Sequence, residues 1–360
     1  ISKGYLAHLS GGGAVGSALT THPSIDEIIL TGSTETLQKV KWGSTASEQA
    51  KNRKNNTPLV NKPICAELGA VTPWIVVPGD QWNRRSVDKH ARAVAFAKMA
   101  LNGYACVSPQ LLLVAENWEW RQEFMDRLRY WLGQHPGGAS FYPGSAESHS
   151  FFKSLPNAEI IRPLGGEDGG DAAFAHRRQH PILIPNVSTD NEEQNVLMQR
   201  EAWCPVLAEV PLPYDRLTND DKDSMQFLKS AVQFAEKNVK GSLSTCILIN
   251  DRIMKKNVKE FDALIASIPY GIVGVNIFPA YAFSMSKLVW GAYPGYTASG
   301  HGKIGNTGLF KNPEKTVLRA PFMYLGRKLM EVMDAQKHYL VASRVTKHAL
   351  CPGYLNLGKV

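Results

Sequence analysis

The sequence predicts a protein of the α/β class, because apolar runs of strand length alternate with segments of helical periodicity. Residues 25–30 form a compact apolar run that is followed by hydroxyl residues and a helical segment. Further along, residues 225–238, 242–248 and 258–267 predict a helix, a strand and a helix in succession. At 360 residues, the chain is long enough for more than one domain.

Composition narrows the possible classes of protein. Hydrophobic residues make up 44% and charged residues 20% of the chain, which is typical of a globular protein. No apolar run approaches the roughly eighteen residues of a membrane-spanning helix. The net charge is +8, but the basic residues are scattered, so we expect no nucleic-acid partner. The five cysteines lack a paired spacing, which predicts neither disulfides nor a zinc site and favours a reducing, cytoplasmic location.

The first elements are predicted from glycine and hydroxyl residues. Residues 1–22 predict a helix interrupted by glycines, which match a dinucleotide fingerprint only formally because no β-branched strand precedes them. Residues 31–35 follow the first strand and predict a helix N-cap, which either binds a phosphate or is a plain cap. Residues 42–63 are polar and basic and predict a surface loop.

A cysteine lies between a predicted helix over residues 88–101 and a predicted strand over residues 111–114. The intervening bend predicts a partly exposed Cys106 thiol facing backbone N–H groups, a setting that favours the thiolate. Free cysteines are more often buried and inert. Upstream, Glu67 enters another predicted strand, and a nucleophile with a potential base is the minimum for covalent acyl chemistry.

The remaining segments carry fewer signals of chemistry. Residues 119–132 predict an amphipathic helix that packs on the core. Residues 134–190 are rich in Gly, Pro and Ser and predict irregular loops with short strands such as 181–184. The tail contains a predicted amphipathic helix near residues 324–337.

Five separated motifs together resemble the aldehyde dehydrogenase superfamily. The A-E-L-G segment at 66–69 and the G-Y-A-C segment at 103–106 are similar to the family's E-L-G-G and G-Q-x-C motifs. The other motifs, T-G-S-T-E, E-x-W-C-P-V and G-x-V-x-V-N with the following loop, occur in the family's order at 31–35, 201–206 and 271–302.

The resemblance implies an aldehyde dehydrogenase-like fold and a division of the chain. Residues 1–68 would be a remnant of the NAD(P)-binding domain and residues 69–290 the catalytic domain. Residues 291–360 would hold an active-site and interface loop and a C-terminal tail. The match covers roughly the C-terminal three-fifths of a family member, and the chain begins with Ile1, so we expect a fragment.

The resemblance also implies residue roles and a cofactor, NAD or NADP. Cys106 would be the nucleophile and Glu67 the base. The implied coenzyme-side residues are Gly12, Gly16, Thr31, Gly32, Ser33, Glu201 and Trp203, and the implied substrate-side residues are Tyr104 and Asn276.

The chain departs from the family pattern at several positions. These are Leu37 and Cys204 for glycines, Ala70 for the second glycine of E-L-G-G, and Tyr104 for glutamine. The loop at residues 290–302 corresponds to P-F-G-G-x-K-x-S-G-x-G, keeps Ser299, Gly300 and Gly302, and is a few residues longer.

The implied reaction oxidises a small-molecule aldehyde to a carboxylic acid through a thiohemiacetal and a thioester on Cys106. Glu67 favours hydrolysis of the thioester over transfer to coenzyme A. Two alternatives remain: a coenzyme-A-acylating relative, and a truncated, inactive homologue, because the family's oxyanion-hole asparagine lies in an upstream segment outside this sequence. A Cys-His hydrolase is not favoured, since none of the ten histidines lies in a partner motif. The resemblance also implies a homodimer or homotetramer.

Overall fold

The computed structural model describes residues 4–135, 137–164, 177–214, 221–285, 287–295, 299–305 and 313–323. The α-helices of these residues are α1 (Gly13–Thr21), α2 (Thr34–Trp42), α3 (Ala46–Lys54), α4 (Arg84–Met99), α5 (Arg121–Gly133), α6 (Ser145–Lys153), α7 (Glu192–Gln199), α8 (Asp221–Asn238), α9 (Asp251–Lys256), α10 (Val258–Ser267) and α11 (Tyr281–Ser284). The strands are β1 (Ile28–Thr31), β2 (Ile64–Glu67), β3 (Thr72–Val76), β4 (Pro109–Ala115), β5 (Gly138–Ala139), β6 (Glu159–Ile160), β7 (Arg178–Gln179), β8 (Ile182–Ile184), β9 (Val206–Leu212), β10 (Ser244–Leu248), β11 (Ile272–Val275), β12 (Gly300–His301) and β13 (Thr316–Arg319).

Two sheets organise the molecule, a larger one that is predominantly parallel and a smaller mixed one. The larger has the order β13-β11-β10-β3-β4-β9-β8-β6, and only its β6–β8 pair is antiparallel. The smaller has the order β1-β2-β12, with β1 and β2 parallel and β12 antiparallel to β2. Parallel strands connected through helices confirm the predicted α/β class.

The core lies in the larger sheet and the helices on its faces. Strands β3, β4, β10 and β11 are buried along their whole length, as expected for parallel strands covered on both faces. Helix α4 packs on α5. The smaller sheet has a modest core of its own, made by Leu37, Ala66 and Leu68. Glu67 ends the central strand of the smaller sheet, and β3 of the larger sheet begins five residues later.

Local capping explains where several helices begin. The Ser33 hydroxyl accepts a hydrogen bond from the Thr36 N–H at 3.2 Å, which confirms the predicted cap of α2. Asn83 caps α4 through the N–H groups of Arg85 and Ser86, so this helix begins four residues before the predicted start at residue 88.

Three predictions about local structure were wrong. Residues 4–12 are not helical, because Gly11–Gly13 disfavour a helix and only α1 remains, with all its side chains outside the core. Residues 42–63 are not one loop, since Thr45 and Glu48 form a capping box that begins α3. Residues 134–190 contain α6, whose glycine-rich surroundings concealed it.

Other predicted elements are confirmed with small shifts of their ends. Helix α10 has the predicted bounds, and β4 extends the predicted strand at both ends. The helix predicted near residues 324–337 lies outside the described residues. Across the part of the chain that the structure describes, no helix combines the length and apolarity needed to cross a bilayer.

Candidate active site

Glu67 is held at the end of β2 by strands on both sides. It pairs with Thr31 of β1 and with Gly300 of β12, and its carbonyl accepts the Gly32 N–H at 3.0 Å. Its side chain is 3% exposed. The carboxylate oxygen Oε2 accepts a hydrogen bond from Nε1 of Trp290 at 2.7 Å. A buried carboxylate is thus fixed in direction by a backbone sheet and a side-chain donor.

Cys106 lies on a turn whose shape depends on left-handed backbone. Leu101, Asn102 and Gly103 all have positive φ, between 52° and 79°, which ends α4 and turns the chain toward β4. Gly103 must be glycine, since a Cβ there would lie 2.6 Å from the carbonyl oxygen of Cys204. The Thr72 hydroxyl donates to the Cys106 carbonyl at 3.3 Å, so β3 also anchors the turn.

The Cys106 thiol is partly exposed, as predicted, but its surroundings oppose ionisation. Burial raises the pKa of this thiol most, followed by the charge of the nearby Glu67 carboxylate. The charge of Glu201 raises it further, and the Cys106 backbone N–H lowers it only slightly. The expected thiolate-favouring setting was therefore wrong, because two carboxylates and burial outweigh the backbone donor.

One cavity of about 530 Å³ joins the two halves of the predicted site. It is lined by Thr31, Gly32, Ser33, Glu67, Leu68, Gly69, Cys106, Tyr142, Pro143, Glu201 and Trp203. Seven residues predicted from separated motifs therefore converge on one space. Among the described residues, no cluster of three or more His, Cys, Asp or Glu side chains could hold a metal ion.

One wall of the cavity is the turn between β1 and α2. Gly32 and Ser33 lie at the N-terminus of α2, where backbone N–H groups lack helical partners and carry a partial positive charge. Glu35 lies in the first turn of α2, close to this partial positive charge. The pKa of its carboxyl is lowered, mainly by a backbone N–H and then by the Ser33 hydroxyl. Anionic groups are thus stabilised at this end of the helix.

Glu201 forms another wall of the cavity, next to Gly69. Burial raises the pKa of its carboxyl to about 8, and the charge of Glu67 adds to the effect. The backbone N–H of Ala70 and the positive charges of Lys240 and Lys98 lower this pKa, but by less than burial raises it. Glu201 is therefore a hydrogen-bonding group whose charge changes near neutral pH.

Four predicted site residues lie elsewhere. Gly12 and Gly16 belong to the exposed start of α1, with open space around them. Tyr104 is buried, and its hydroxyl is 2.7 Å from Oε1 of Gln179. Asn276 is fully buried. Its side chain accepts a hydrogen bond from the Ile249 N–H and donates one to the Ile249 carbonyl, at 2.9 Å each. Asn276 thus joins the ends of neighbouring strands, and the functional roles expected for all four stay predictions.

The structure adds residues that the motifs did not identify. Tyr142 and Pro143 line the cavity, and the Tyr142 ring meets Trp203 edge-on with centroids 5.6 Å apart. They lie in a segment without a recognisable motif, so only folding brings them to Cys106. Trp290 was within a motif, but its contact with Glu67 could not be read from spacing.

Comparison with known proteins gives a consistent family. The model of the aldehyde dehydrogenase family matches residues 1–216. Aminoaldehyde dehydrogenase 1 (peroxisomal) of Malus domestica is 29% identical over 215 residues, covering 58% of this chain and 39% of that protein. Betaine aldehyde dehydrogenase 1 of Oryza sativa subsp. japonica is 33% identical over 311 residues, covering 83% of this chain and 51% of that protein. The chain thus spans about half the length, or less, of these relatives.

Solved structures agree on the fold. An NAD-dependent aldehyde dehydrogenase from Sinorhizobium meliloti aligns with a TM-score of 0.57 at 20% identity, covering 83% of this chain and 51% of that one. A mutant aldehyde dehydrogenase C from Pseudomonas syringae, in complex with NAD+ and octanal, aligns with a TM-score of 0.57 at 17% identity, with coverages of 83% and 54%.

Proposed function

The chain belongs to the aldehyde dehydrogenase family, and we propose that it oxidises an aldehyde to a carboxylic acid with NAD+ or NADP+ through a covalent intermediate on Cys106. The single observation that carries this proposal is the shared cavity. It places a thiol, a facing carboxylate, a helix N-terminus and a second carboxylate around one space of about 530 Å³. Nucleophile, base and an anion-stabilising wall are the parts that such a reaction needs.

The residues present fit a nicotinamide dinucleotide. Backbone N–H groups at the start of α2, beside Gly32 and Ser33, would hold the pyrophosphate. Glu201 would accept hydrogen bonds from ribose hydroxyls, and Gly69 leaves the room that its carboxylate occupies. When bound, the oxidised nicotinamide ring supplies the acceptor for the hydride. These groups would serve NAD and NADP equally.

Cys106 and Glu67 would carry the covalent chemistry. Glu67 takes the thiol proton, and the sulfur bonds to the carbonyl carbon while the carbonyl electron pair moves to the oxygen. The Cys106 backbone N–H can donate to that oxyanion, and such a donor is worth about 3–4 kcal/mol of barrier. The oxyanion re-forms the C=O double bond as a hydride leaves its carbon for the acceptor that the coenzyme would supply, which leaves a thioester on Cys106, and Glu67 gives its proton to solvent. In the second half, Glu67 takes a proton from water, whose oxygen attacks the thioester carbon. The C–S bond then breaks and the Cys106 thiolate leaves the carboxylic acid.

Hydrolysis is preferred over transfer to coenzyme A because the carboxylate faces the thiol. Glu67 and Cys106 line the same cavity, and the Glu67 charge raises the pKa of the Cys106 thiol, so the carboxylate lies near the atom that would bear the acyl group. A base in this place can deprotonate water next to the acyl carbon. An acyl-CoA product would contradict this preference.

A second candidate is a homologue that folds but does not catalyse. It is favoured by the raised pKa of the Cys106 thiol, which leaves little thiolate at neutral pH. The two candidates differ in whether Glu67 removes the thiol proton during the reaction.

The experiment is a turnover assay with a panel of aldehydes and either coenzyme, which follows reduced nicotinamide by absorbance. We expect the unmodified protein to produce it and Cys106→Ser to lose the activity by at least about three orders of magnitude. Cys65→Ser is the matched control, because Cys65 is a partly exposed thiol outside the cavity. Full activity of Cys106→Ser would overturn the assignment, and an inactive wild type that remains folded would favour the second candidate.

The substrate, the oligomeric state and the cellular location are assigned less specifically than the reaction. The aromatic side chain of Trp203 lines the cavity, which favours an apolar or aromatic aldehyde. The homodimer or homotetramer expected from the family stays a prediction. So does the cytoplasmic location, since relatives include proteins named peroxisomal and chloroplastic.

A further inference from the structure

The Glu67 carboxylate is hydrogen-bonded to one specific side chain, the indole of Trp290. Nε1 of Trp290 and Oε2 of Glu67 are 2.7 Å apart, and each residue is only 3% exposed. A buried carboxylate has lost its hydration, so a short N–H donor replaces part of that lost stabilisation. The Glu67 carboxylate and the Cys106 thiol line the same cavity.

The backbone around Trp290 is attached to the strand that carries Glu67. Strand β12 pairs with β2 so that Gly300 lies opposite Glu67. The same loop returns as a bridge between Trp290 and Gly305, with the Trp290 N–H donating to the Gly305 carbonyl at 3.2 Å. The Ile304 N–H donates back to the Trp290 carbonyl at 3.0 Å. The indole therefore approaches Glu67 from a backbone that is anchored on both sides.

Packing also restricts the direction of the indole. The Phe283 ring meets the Trp290 ring edge-on, with centroids 5.1 Å apart and an interplanar angle of 78°. Rotation of Trp290 away from Glu67 would break this contact and leave a buried carboxylate without its donor, which is unfavourable. The observed orientation is therefore strongly preferred.

We propose that Trp290 is a positioning residue that fixes the Glu67 carboxylate against the Cys106 thiol. The inference rests on the proposed function for the roles of Cys106 and Glu67. It goes beyond that function because the family's P-F-G-G motif has phenylalanine at the position of Trp290. The side chain of phenylalanine has no N–H group that could donate to Glu67. The contact is thus a property of this chain's own sequence.

The consequence is a measurable change at the sulfur. The charged groups that face Cys106 are the carboxylates of Glu67 and Glu201. If Trp290 no longer holds Glu67, its carboxylate is free to move away from the sulfur. This movement reduces the negative charge beside the thiol, so the thiol ionises at lower pH.

The test is a double-mutant cycle on the rate of Cys106 alkylation by iodoacetamide as a function of pH, followed by peptide mass spectrometry. We expect Trp290→Phe to alkylate about three- to tenfold faster than the wild type at a pH below the thiol pKa. In the Glu67→Gln background, Trp290→Phe should change the rate by less than about twofold, since the group through which it acts is gone. A wild-type profile for Trp290→Phe, or an equal increase in both backgrounds, would overturn the proposal.

Two further variants test whether a change in alkylation rate arises from the Trp290–Glu67 hydrogen bond or from another cause. Trp118→Phe is the matched control, because the Nε1 of this buried indole has no hydrogen-bond partner among the residues that the structure describes, and its alkylation profile should equal that of the wild type. Phe283→Leu keeps the indole but removes the exposed ring that orients it, and we expect a smaller acceleration in the same direction. If Trp290→Phe does not fold, an unchanged Phe283→Leu profile overturns the proposal.

Alkylation requires neither aldehyde nor coenzyme. A wild type that reduces no coenzyme would therefore count against the proposed function, while the cycle would still decide the role of Trp290. Conversely, an active wild type with an unaffected Trp290→Phe thiol would count against Trp290 alone.

Discussion

The Glu201 carboxylate occupies the space that a side chain at position 69 would need. A Cβ built on Gly69 would lie 2.9 Å from Oε2 of Glu201, closer than real Cβ contacts allow. Gly69 follows the strand that carries Glu67 by two residues, so one short segment provides both the proposed base and the room for the proposed ribose-binding group. This relationship makes the coenzyme side of the cavity open to a simple test.

We expect Gly69→Ala to weaken coenzyme binding while leaving the fold intact. The new methyl group displaces the end of a flexible side chain, so the free energy of unfolding should change by less than about 1 kcal/mol. The displaced Glu201 would bind the ribose less well, raising the Kd for coenzyme by about tenfold, or about 1.4 kcal/mol. Isothermal titration calorimetry measures this, and Gly13→Ala, which points into open space in α1, is the matched control. An unchanged Kd would contradict the role of this wall.

Coenzyme binding should also depend on pH through Glu201. Because the pKa of its carboxyl is raised to about 8, this group is largely neutral below that pH and charged above it. A carboxylate accepts hydrogen bonds from hydroxyls about twice as strongly as a neutral group. Affinity should therefore rise as pH increases through about 8, and Glu201→Gln should remove the dependence. Fluorescence titrations across this range provide the measurement, and an identical slope in Glu201→Gln would refute the assignment.

Glu67→Gln should separate the two halves of the proposed reaction. In this variant the Cys106 thiol gives its proton to solvent instead of to Glu67, and removing the carboxylate lowers the pKa of the thiol, so the thiolate can still form and attack the aldehyde. Water activation is lost, so a burst of reduced coenzyme should be followed by turnover slowed about 10²–10⁴-fold. Rapid-mixing absorbance resolves the burst, with Glu147→Gln as an exposed control on α6. Turnover at the unmodified rate would exclude Glu67 as the base.

Lys98 is a buried cation that should limit stability. It is 2% exposed, its ammonium donates to the Pro109 carbonyl at 3.0 Å, and burial lowers its pKa from 10.5 to about 8. Below pH 8 the ammonium is charged in both the folded and unfolded states, so the whole free-energy cost of burying the charge opposes folding. Stability should increase as pH rises from about 8 to 10.5, where only the unfolded chain keeps the proton.

We therefore expect Lys98→Met to raise the free energy of unfolding at neutral pH by about 2 kcal/mol, after allowing for the lost hydrogen bond. The gain should shrink above pH 8. Urea denaturation at several pH values measures it, and Lys54→Met on the exposed face of α3 is the control. A gain that stays constant with pH would show that the effect does not come from the buried charge.

Local sequence was sufficient for many elements of the fold. The periodicity of residues 258–267 predicts α10 with its observed bounds, and the apolar run after Cys106 predicts β4. Helix α3 was missed because its residues are polar throughout, so only its capping box marks it. The helix predicted from residue 1 failed because three successive glycines favour a non-helical chain.

Order and spacing of motifs were enough to place Cys106, Glu67 and Glu201 in one family and to predict a common site, since such motifs record residue types and their separation along the chain. Three-dimensional packing alone decided that Trp290 holds Glu67, that Tyr142 lines the cavity, and that burial and nearby carboxylates raise the pKa of the Cys106 thiol. The physical reason is that burial and the distance between charges set a pKa and a hydrogen bond. Both quantities arise only when segments that are distant along the chain pack together.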